Sequence, residues 1–431
     1  MKKISFVTLG CKTNQFESAA MAEAVRKEGF QVVAAGEAAD VCVINTCTVT
    51  ARTDAESRRL IRRALRQNPA ARIVVTGCYA QIAAEEIRTM PGVALVIGNT
   101  EKRELVELLR ELGDKQRIKV TDISLVRETG PLILETFAEH TRAFLQVQNG
   151  CDARCSYCIV PHVRGPSRSV RLDDALNGIR TFARQGFREV VLTGIHLGAF
   201  GLDLAPPTSL LELLSAADRE NLVPRLRLGS IEPTEIPDPL IRLIAGGRTI
   251  CPHLHIPLQS CDDDVLAAMN RPYSSGFFRH LVEKLVAAAP AICLGTDIIA
   301  GFPGETEEAF ERGYRFLEAL PLAYFHVFPF SPRQGTPAAT MPNRVPAPLI
   351  KQRAEALRTL SARKKLAYAE SFLGKELQVL IQQTRNDGNR QGLSRNYLSV
   401  SIPDCNAPVN AEVTVRVTGA TAELLTGFVV G

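Results

Sequence analysis

Apolar residues fall into short runs that alternate with amphipathic stretches through the first 125 or so positions. ISFVTLG (4–10) ends in glycine and leads into NQFESAAMAEAVRKEGF, whose apolar positions recur at helical spacing. ADVCVINT leads to a helix at 54–67, RIVVTG to a further helical stretch, and VALVIGN to RELVELLREL. Such alternation predicts a parallel sheet wrapped by helices. After a polar, Pro-containing linker near 121–140 the alternation resumes. Six strands are expected at 142–150, 188–195, 225–232, 253–259, 291–301 and 323–332, separated by helices such as DDALNGIRTFARQG. Six βα units predict a partial (β/α)6 barrel, built like the eight-stranded barrel but left open. A Pro-rich connection (332–348) and a charged helix (350–372) follow. The last 58 residues change character: ELQVLIQQ, LSVSI, AEVTVRVTGA and LLTGFVV are short β-rich runs with turn residues between them. They predict a small all-β barrel. The expected α/β organisation is an N-terminal parallel-sheet domain (1–125), a barrel (140–335), a linker and helix (336–373), and a terminal β-barrel (374–431).

Composition narrows this picture. A chain of 431 residues exceeds one ordinary core, which fits several domains. Its 45% hydrophobic and 23% charged residues are those of a globular protein. There is no run of about 18 uncharged apolar residues, so no membrane span is expected. MKKISFVTLG reads as a first strand, not an export signal, so a cytoplasmic location is expected. The net charge of +5 neither demands nor excludes a nucleic-acid partner. Eleven cysteines without an export signal point to metal or redox chemistry, because disulfides do not persist in a reducing cytosol.

Two sets of cysteines carry that chemistry. Cys151, Cys155 and Cys158 lie together just after the first barrel strand, at the strand end where such barrels place their active sites. Cuboidal 4Fe–4S clusters normally take four thiolates, so three leave one iron free for another ligand; a zinc knuckle is the competing reading. Cys11, Cys47 and Cys78 are 36 and 31 residues apart, yet each directly follows a strand. Residues just beyond the strand ends of an open parallel sheet line one crevice, so three thiols there can hold a second cluster, or pack as ordinary buried cysteines. Cys42, Cys251, Cys261, Cys293 and Cys405 have no partner spacing and read as inert packing.

The run CDARCSYCIVPHVRGPSRS resembles the signature of radical S-adenosylmethionine (SAM) methylthiotransferases, and the resemblance covers nearly the whole chain. It implies two 4Fe–4S clusters and SAM, which serves as methyl donor and radical source. Cys151, Cys155 and Cys158 would hold the cluster that cleaves SAM to a 5′-deoxyadenosyl radical; Cys11, Cys47 and Cys78 would hold an auxiliary cluster carrying the sulfur. Thr193, Gly194, Ser230, Glu232, Gln259 and Ser260, at successive strand ends, would line the SAM pocket. LQSCDD departs from the LQSGSD usual in the family, placing a thiol, Cys261, in that turn. His196, His253, His255 and His326 read as satisfied core or rim residues. The terminal segment resembles a TRAM domain, an RNA-binding β-barrel in which Lys375, Arg385, Arg390 and Arg395 can meet phosphates. Arg58, Arg59, Arg62, Arg63 and Arg66 fall within an arc of about 140° on one helix; Arg58, Arg62 and Arg66 are candidates for RNA phosphate contacts, the alternative being a solvated face.

Within the family, CSYCIVPHVRG, GSIEP and SPRQGTPA match the MtaB-like group best. That group implies methylthiolation at C2 of N6-threonylcarbamoyladenosine at position 37 of tRNA, with tRNA, an electron donor such as flavodoxin or ferredoxin, and a sulfur donor as partners. Arg333, at the end of the last barrel strand, is then expected to offer a bidentate pair to the substrate's carboxylate. No general acid or base stands out. The competing functions are a RimO-like enzyme acting on a ribosomal-protein aspartate, a radical SAM sulfur inserter for a small molecule, and an RNA-binding iron–sulfur sensor.

Overall fold

The computed structural model describes residues 2–113, 115–128, 134, 141–385 and 387–430. Its N-terminal part is a parallel sheet of β1 (Lys3–Thr8), β2 (Gln31–Val33), β3 (Val41–Thr46), β4 (Arg72–Gly77), β5 (Val93–Ile97) and β6 (Arg117–Lys119), in the order β2-β1-β3-β4-β5-β6. β3 and β5 are buried along their whole length and β4 in all but its first residue. Strands covered on both faces read as continuous apolar runs, which made these visible in the sequence. The edge strands β2 and β6 were not expected; QVV and RIK are too short to show a period.

Two helices of this part begin beside the strand-end cysteines. α1 (Lys12–Lys27) starts directly after Cys11. α2 (Ala51–Gln67) starts three residues earlier than expected, because the Thr50 side chain accepts from the Thr53 N–H and Thr53 returns the bond. That reciprocal cap satisfies two of the free N–H groups of the first turn.

Residues 129–133 and 135–140 of the expected linker lie outside the described residues. All six expected barrel strands are present: β7 (Arg142–Gln146), Glu189–Thr193, Arg225–Leu228, His253–His255, Cys293–Ala300 and Tyr324–Pro329. They form two parallel trios joined by the bridges Leu226↔Ile250 and Ser230↔His255, giving an open barrel with its strands in chain order. One apolar core runs from Ala143 to Leu360 of the helix Ala347–Glu370 and takes in Phe16 and Ala20 of α1. The N-terminal sheet is therefore seated on the barrel through α1. No helix among the described residues is long and apolar enough to cross a membrane.

The terminal residues form a closed five-stranded barrel, including a strand, Arg390–Ser394, too polar to be read from sequence. It stoppers the lower mouth of the (β/α) barrel. There Glu189, Arg225 and Arg227 are completely buried. Both guanidiniums hold Glu189 through Nε at 2.8 Å. They donate onward to the terminal barrel's carbonyls, Arg225 to Leu393 and Arg227 to Arg395, each at 2.9 Å. Arg395 itself donates to the carbonyls of Pro224 and Arg248. That changes one expectation: both Nη atoms of Arg395 donate into this interface, where a contact to RNA phosphates was expected.

Burial alone would raise the Glu189 pKa, but the charges of Arg227 and Arg225 outweigh it and hold it down at about 2. A carboxylate with a depressed folded-state pKa stabilises above its unfolded value. That contribution is lost as pH falls from the ordinary glutamate range toward 2. At neutral pH, Glu189→Gln removes the anion shared by two buried guanidiniums, leaving Arg225 with Glu412 at 3.3 Å, and should cost about 3–5 kcal/mol. Thermal unfolding of the variant checks this, and an unchanged melting temperature would contradict it.

Candidate active site

The loop after β7 carries Cys151, Cys155 and Cys158 and is fixed by its backbone. The Cys151 N–H donates to the Gly165 carbonyl at 2.9 Å and the Ser156 N–H to the Met269 carbonyl at 3.0 Å. Gly150 precedes the triad at φ +74°, where a Cβ would lie 1.8 Å from the Pro166 oxygen, so only glycine fits. All eleven cysteines are free thiols. Arg271 Nη1 donates to Cys155 Sγ at 3.2 Å, while its other nitrogens hold Tyr273 and Glu232. His196 places Nδ1 3.6 Å from Cys151 Sγ and Nε2 2.6 Å from Glu235. Burial opposes a charge on His196, yet Cys151 and Glu235 raise its pKa to about 10.

The second triad lies at the carboxyl ends of β1, β3 and β4. Gly10, at φ +116°, lets the Cys11 turn approach Cys47; a Cβ on it would meet Cys47 Cβ at 3.1 Å. Asn14 ties the crevice, its Nδ2 donating to the carbonyls of Leu9 and Thr46 at 2.7 and 3.1 Å. Cys47 and Cys78 are buried. Burial, with the neighbouring Cys78 and Cys11 charges, pushes the Cys47 thiol up to about 11.

One packed junction links the two triads. Cys78 packs against Ile159 and Val163, which closely follow Cys158 in the chain. Arg164, on the next turn, is buried and reaches into the N-terminal sheet. Its Nε donates to Cys78 Sγ at 3.2 Å, and its other nitrogens hold Glu17 and Asn14 of α1. Lys102 closes on the same carboxylate. Burial would raise the pKa of Glu17, but Arg164 and Lys102 hold it at about 2. Sequence reasoning passed over Arg164, Glu17 and Arg271, since none sits in a spaced pattern. The available signal was weak, since Glu17 shares the buried face of α1 with Thr13, Asn14, Ser18 and Glu23 as well as with apolar residues.

The expected pocket residues divide into two groups. Thr193 Oγ1 meets Thr13 Oγ1 of α1 at 3.3 Å. A Cβ on Gly194 would come within 2.9 Å of Gln148 Oε1, the oxygen that accepts the His196 N–H. Glu232 pairs with Arg271. Ser260 Oγ accepts the Asp262 N–H at 3.3 Å. Ser230 is exposed at the barrel mouth, and Gln259 adopts φ +72° with its backbone bonded on both sides to the fifth strand. Neither makes a side-chain hydrogen bond among the described residues.

Two expectations change. Arg333 does not offer a free fork: Nη2 donates to Asp54 and Thr48 at 2.7 Å each, clasping α2 to the barrel. Arg58 donates to Tyr79 Oη at 2.6 Å and pairs with Glu86, so it is braced, whereas Arg62 and Arg66 are exposed. The histidines have the partners expected of core or rim residues. Besides His196 on Cys151, His255 and His326 converge on Asp297 at 2.9 and 3.5 Å inside the barrel. Burial raises the Cys261 thiol pKa, consistent with an inert packing cysteine.

The donor set fits iron–sulfur clusters. Each triad offers three thiols and a guanidinium N–H to one sulfur, and N–H donors to sulfur stabilise the thiolate form that ligates metal.

Comparisons with known proteins agree with this geometry. Residues 3–98 match the family described as uncharacterized protein family UPF0004, and residues 145–317 match the radical SAM superfamily. The chain is 37% identical to threonylcarbamoyladenosine tRNA methylthiotransferase MtaB of Aquifex aeolicus, over 92% of this chain and 96% of that protein. The MtaB of Bacillus subtilis is 36% identical over 97% and 94%. The tRNA-2-methylthio-N(6)-dimethylallyladenosine synthase of Desulfitobacterium hafniense is 31% identical over 99% and 97%. Among solved structures, the radical SAM methyltransferase TsrM of Kitasatospora setae, with cobalamin and a 4Fe–4S cluster bound, shares the fold. Its TM-score is 0.54 at 17% identity, covering 78% of this chain and 77% of that one.

Arg164→Ala should separate the halves of this site. It leaves Glu17 with Lys102 alone and removes the donor on Cys78, at a cost of about 3–5 kcal/mol. Arg164→Lys should recover only part, since an ammonium cannot fork between a carboxylate and a sulfur. Melting temperatures of the two variants check this; an alanine variant as stable as the parent would contradict the role.

Proposed function

This chain belongs to the radical SAM methylthiotransferase family that contains the MtaB threonylcarbamoyladenosine tRNA methylthiotransferases, and we propose that it replaces the C2 hydrogen of N6-threonylcarbamoyladenosine-37 in tRNA with a methylthio group. The observation that carries this reading is the meeting of two cysteine triads, with Arg164 of one half on Cys78 of the other. A C–H bond of an aromatic ring resists acid–base chemistry, so a radical generator and a sulfur carrier must face the same base.

In this reading Cys151, Cys155 and Cys158 hold one 4Fe–4S cluster, and Cys11, Cys47 and Cys78 hold the other. When bound, the clusters and SAM supply a substrate-activating radical, a transferable sulfur and its methyl group. Arg271 and His196 orient the first triad, and Arg164 orients the second. Ser230 and Gln259, whose side chains are otherwise unengaged, meet SAM. Thr193, Gly194, Glu232 and Ser260 shape the pocket through Thr13, Gln148, Arg271 and Asp262. The chain divides at 1–125, 140–335, 336–373 and 374–431, with the last part a TRAM-like barrel. Arg62 and Arg66 contact tRNA phosphates, while Arg58 is held on Tyr79 and Glu86. A flavodoxin- or ferredoxin-type reductant and a sulfur donor complete the system in the cytoplasm. The anticodon-loop base must be splayed out to reach so enclosed a site.

Anaerobic reconstitution should give about eight irons per chain. Changing Cys151, Cys155 and Cys158 to Ala should halve the iron and abolish reductive SAM cleavage. Changing Cys11, Cys47 and Cys78 to Ala should abolish methylthiolation while leaving some 5′-deoxyadenosine production. Mass spectrometry of tRNA nucleosides reads the outcome: methylthiolated product from the second variant, or equal activity on isopentenyladenosine tRNA, would overturn the assignment.

The RNA surface has its own test. Arg62→Gln with Arg66→Gln should lower the slope of log affinity against log salt by about 1.5–2, as two phosphate contacts disappear. An unchanged slope would leave these arginines as a solvated face.

A further inference from the structure

Arg333 gives Nη2 to Asp54 and Thr48 and keeps only a buried Nε without a partner, so it offers no two-pronged grip on a carboxylate, and the lumen of the barrel holds another cation. Lys12 directly follows Cys11 and is half-buried. Its Nζ lies 6.0 Å from the centre of the Tyr397 ring, which the terminal barrel inserts from below. No hydrogen bond or ion pair engages that ammonium among the described residues. Arg227 lies over the same ring at 5.1 Å, and His253 stacks on it at 4.1 Å.

The neighbourhood holds more positive charge than it neutralises. Four cations, Lys12, Arg142, Arg225 and Arg227, stand against three carboxylates, Glu189, Glu412 and Asp297, the last taken up by His255 and His326. Glu189 is already bonded by Arg225 and Arg227, and Arg142 reaches it only at 3.7 Å. Arg142 Nη1 and His253 Nδ1 are both buried without a hydrogen-bond partner. Arg142 also lines a cleft of about 500 Å³ with Tyr324, His326 and Tyr397, between the barrel's last strand and the terminal barrel. Buried polar groups are nearly always satisfied. An unpaired ammonium, an unpaired guanidinium nitrogen and an unpaired imidazole nitrogen in one lumen therefore mark a place for an anionic, hydrogen-bonding ligand.

We propose that Lys12, with Arg142 beside it, forms a carboxylate-binding subsite that reads the threonyl carboxylate of the substrate base. The inference rests on the function proposed above. In adenine a single ring nitrogen separates C2 from the carbon bearing N6. A cation one residue from the sulfur-side Cys11 thus stands on the side of the base where both the reacting carbon and the N6 substituent must lie. A phosphate has the same claim on an ammonium, and the test separates the two anions.

The full chain, reconstituted anaerobically, is titrated with three anticodon stem-loops. One bears threonylcarbamoyladenosine, one its neutral methyl ester, and one unmodified adenosine. The parent should bind the carboxylate form most tightly. Lys12→Gln should weaken that form by about ten- to a hundredfold, the loss expected for a charge-assisted bond, and leave the other two unchanged. Lys12→Arg should retain most of the discrimination. Iron content serves as the folding control, and if Lys12→Gln loses iron, Arg142→Gln at the start of β7 gives the same comparison. Equal weakening of all three RNAs would assign Lys12 to a phosphate, and no weakening would remove its role; either overturns the subsite. A parent that turns over the carboxylate form, with a Lys12→Gln variant that still discriminates as the parent does, condemns the subsite alone. A parent that neither prefers nor modifies it condemns the proposed substrate as well.

Discussion

A guanidinium shut away from water is tolerated only when its charge and its N–H groups all find partners, and Arg164 meets that demand across a domain boundary. Its carboxylate, Glu17, and its amide partner, Asn14, belong to α1, while its own backbone continues the loop that carries Cys151, Cys155 and Cys158. The remaining nitrogen falls on Cys78. The two sets of thiols cannot drift apart without exposing an uncompensated buried charge. The same loop and helix fix both triads, so the spacing between the sites is set by one ion cluster and by the apolar contact of Cys78 with Ile159 and Val163. Arg333 on Asp54 repeats the device at the other side of the junction.

The terminal barrel uses equivalent physics at the lower mouth. Glu189, Arg225 and Arg227 would be intolerable inside an open barrel, and the carbonyls of Leu393, Ser394 and Arg395 complete their hydrogen bonding. Docking there also carries Tyr397 up against His253 and Arg227. All three parts of the chain thus contribute to one lumen: Lys12 from the first, the histidines and Asp297 from the second, Tyr397 from the third. An appendage that completes the barrel's interior is part of the site's architecture.

Much of this was legible in the sequence, for identifiable reasons. β3, β4 and β5 announce themselves because strands buried on both faces read as apolar runs, and the barrel strands because short β-rich runs alternate with helical segments. Cys11, Cys47 and Cys78 could be grouped because a parallel sheet sends every strand end to the same edge. What escaped was long-range and electrostatic. Arg164, Glu17 and Lys102 are far apart in sequence, and a buried ion cluster leaves no period. Arg333 could be placed at a strand end, but its partner Asp54 is nearly 280 residues away, so its engagement was invisible. Strands such as Arg117–Lys119 and Arg390–Ser394 are polar and short because their neighbours, not their own residues, hold them in place.

The central claim is that the two triads form one reaction site. The most direct measurement is electron paramagnetic resonance of the reconstituted, reduced chain, compared with variants lacking either triad. If Arg164 and the Cys78–Ile159 contact hold the clusters side by side, the parent spectrum should show spin–spin broadening that vanishes when either triad is replaced by alanine. A parent spectrum equal to the sum of the two variant spectra would mean that the clusters do not sense each other, and would contradict the account.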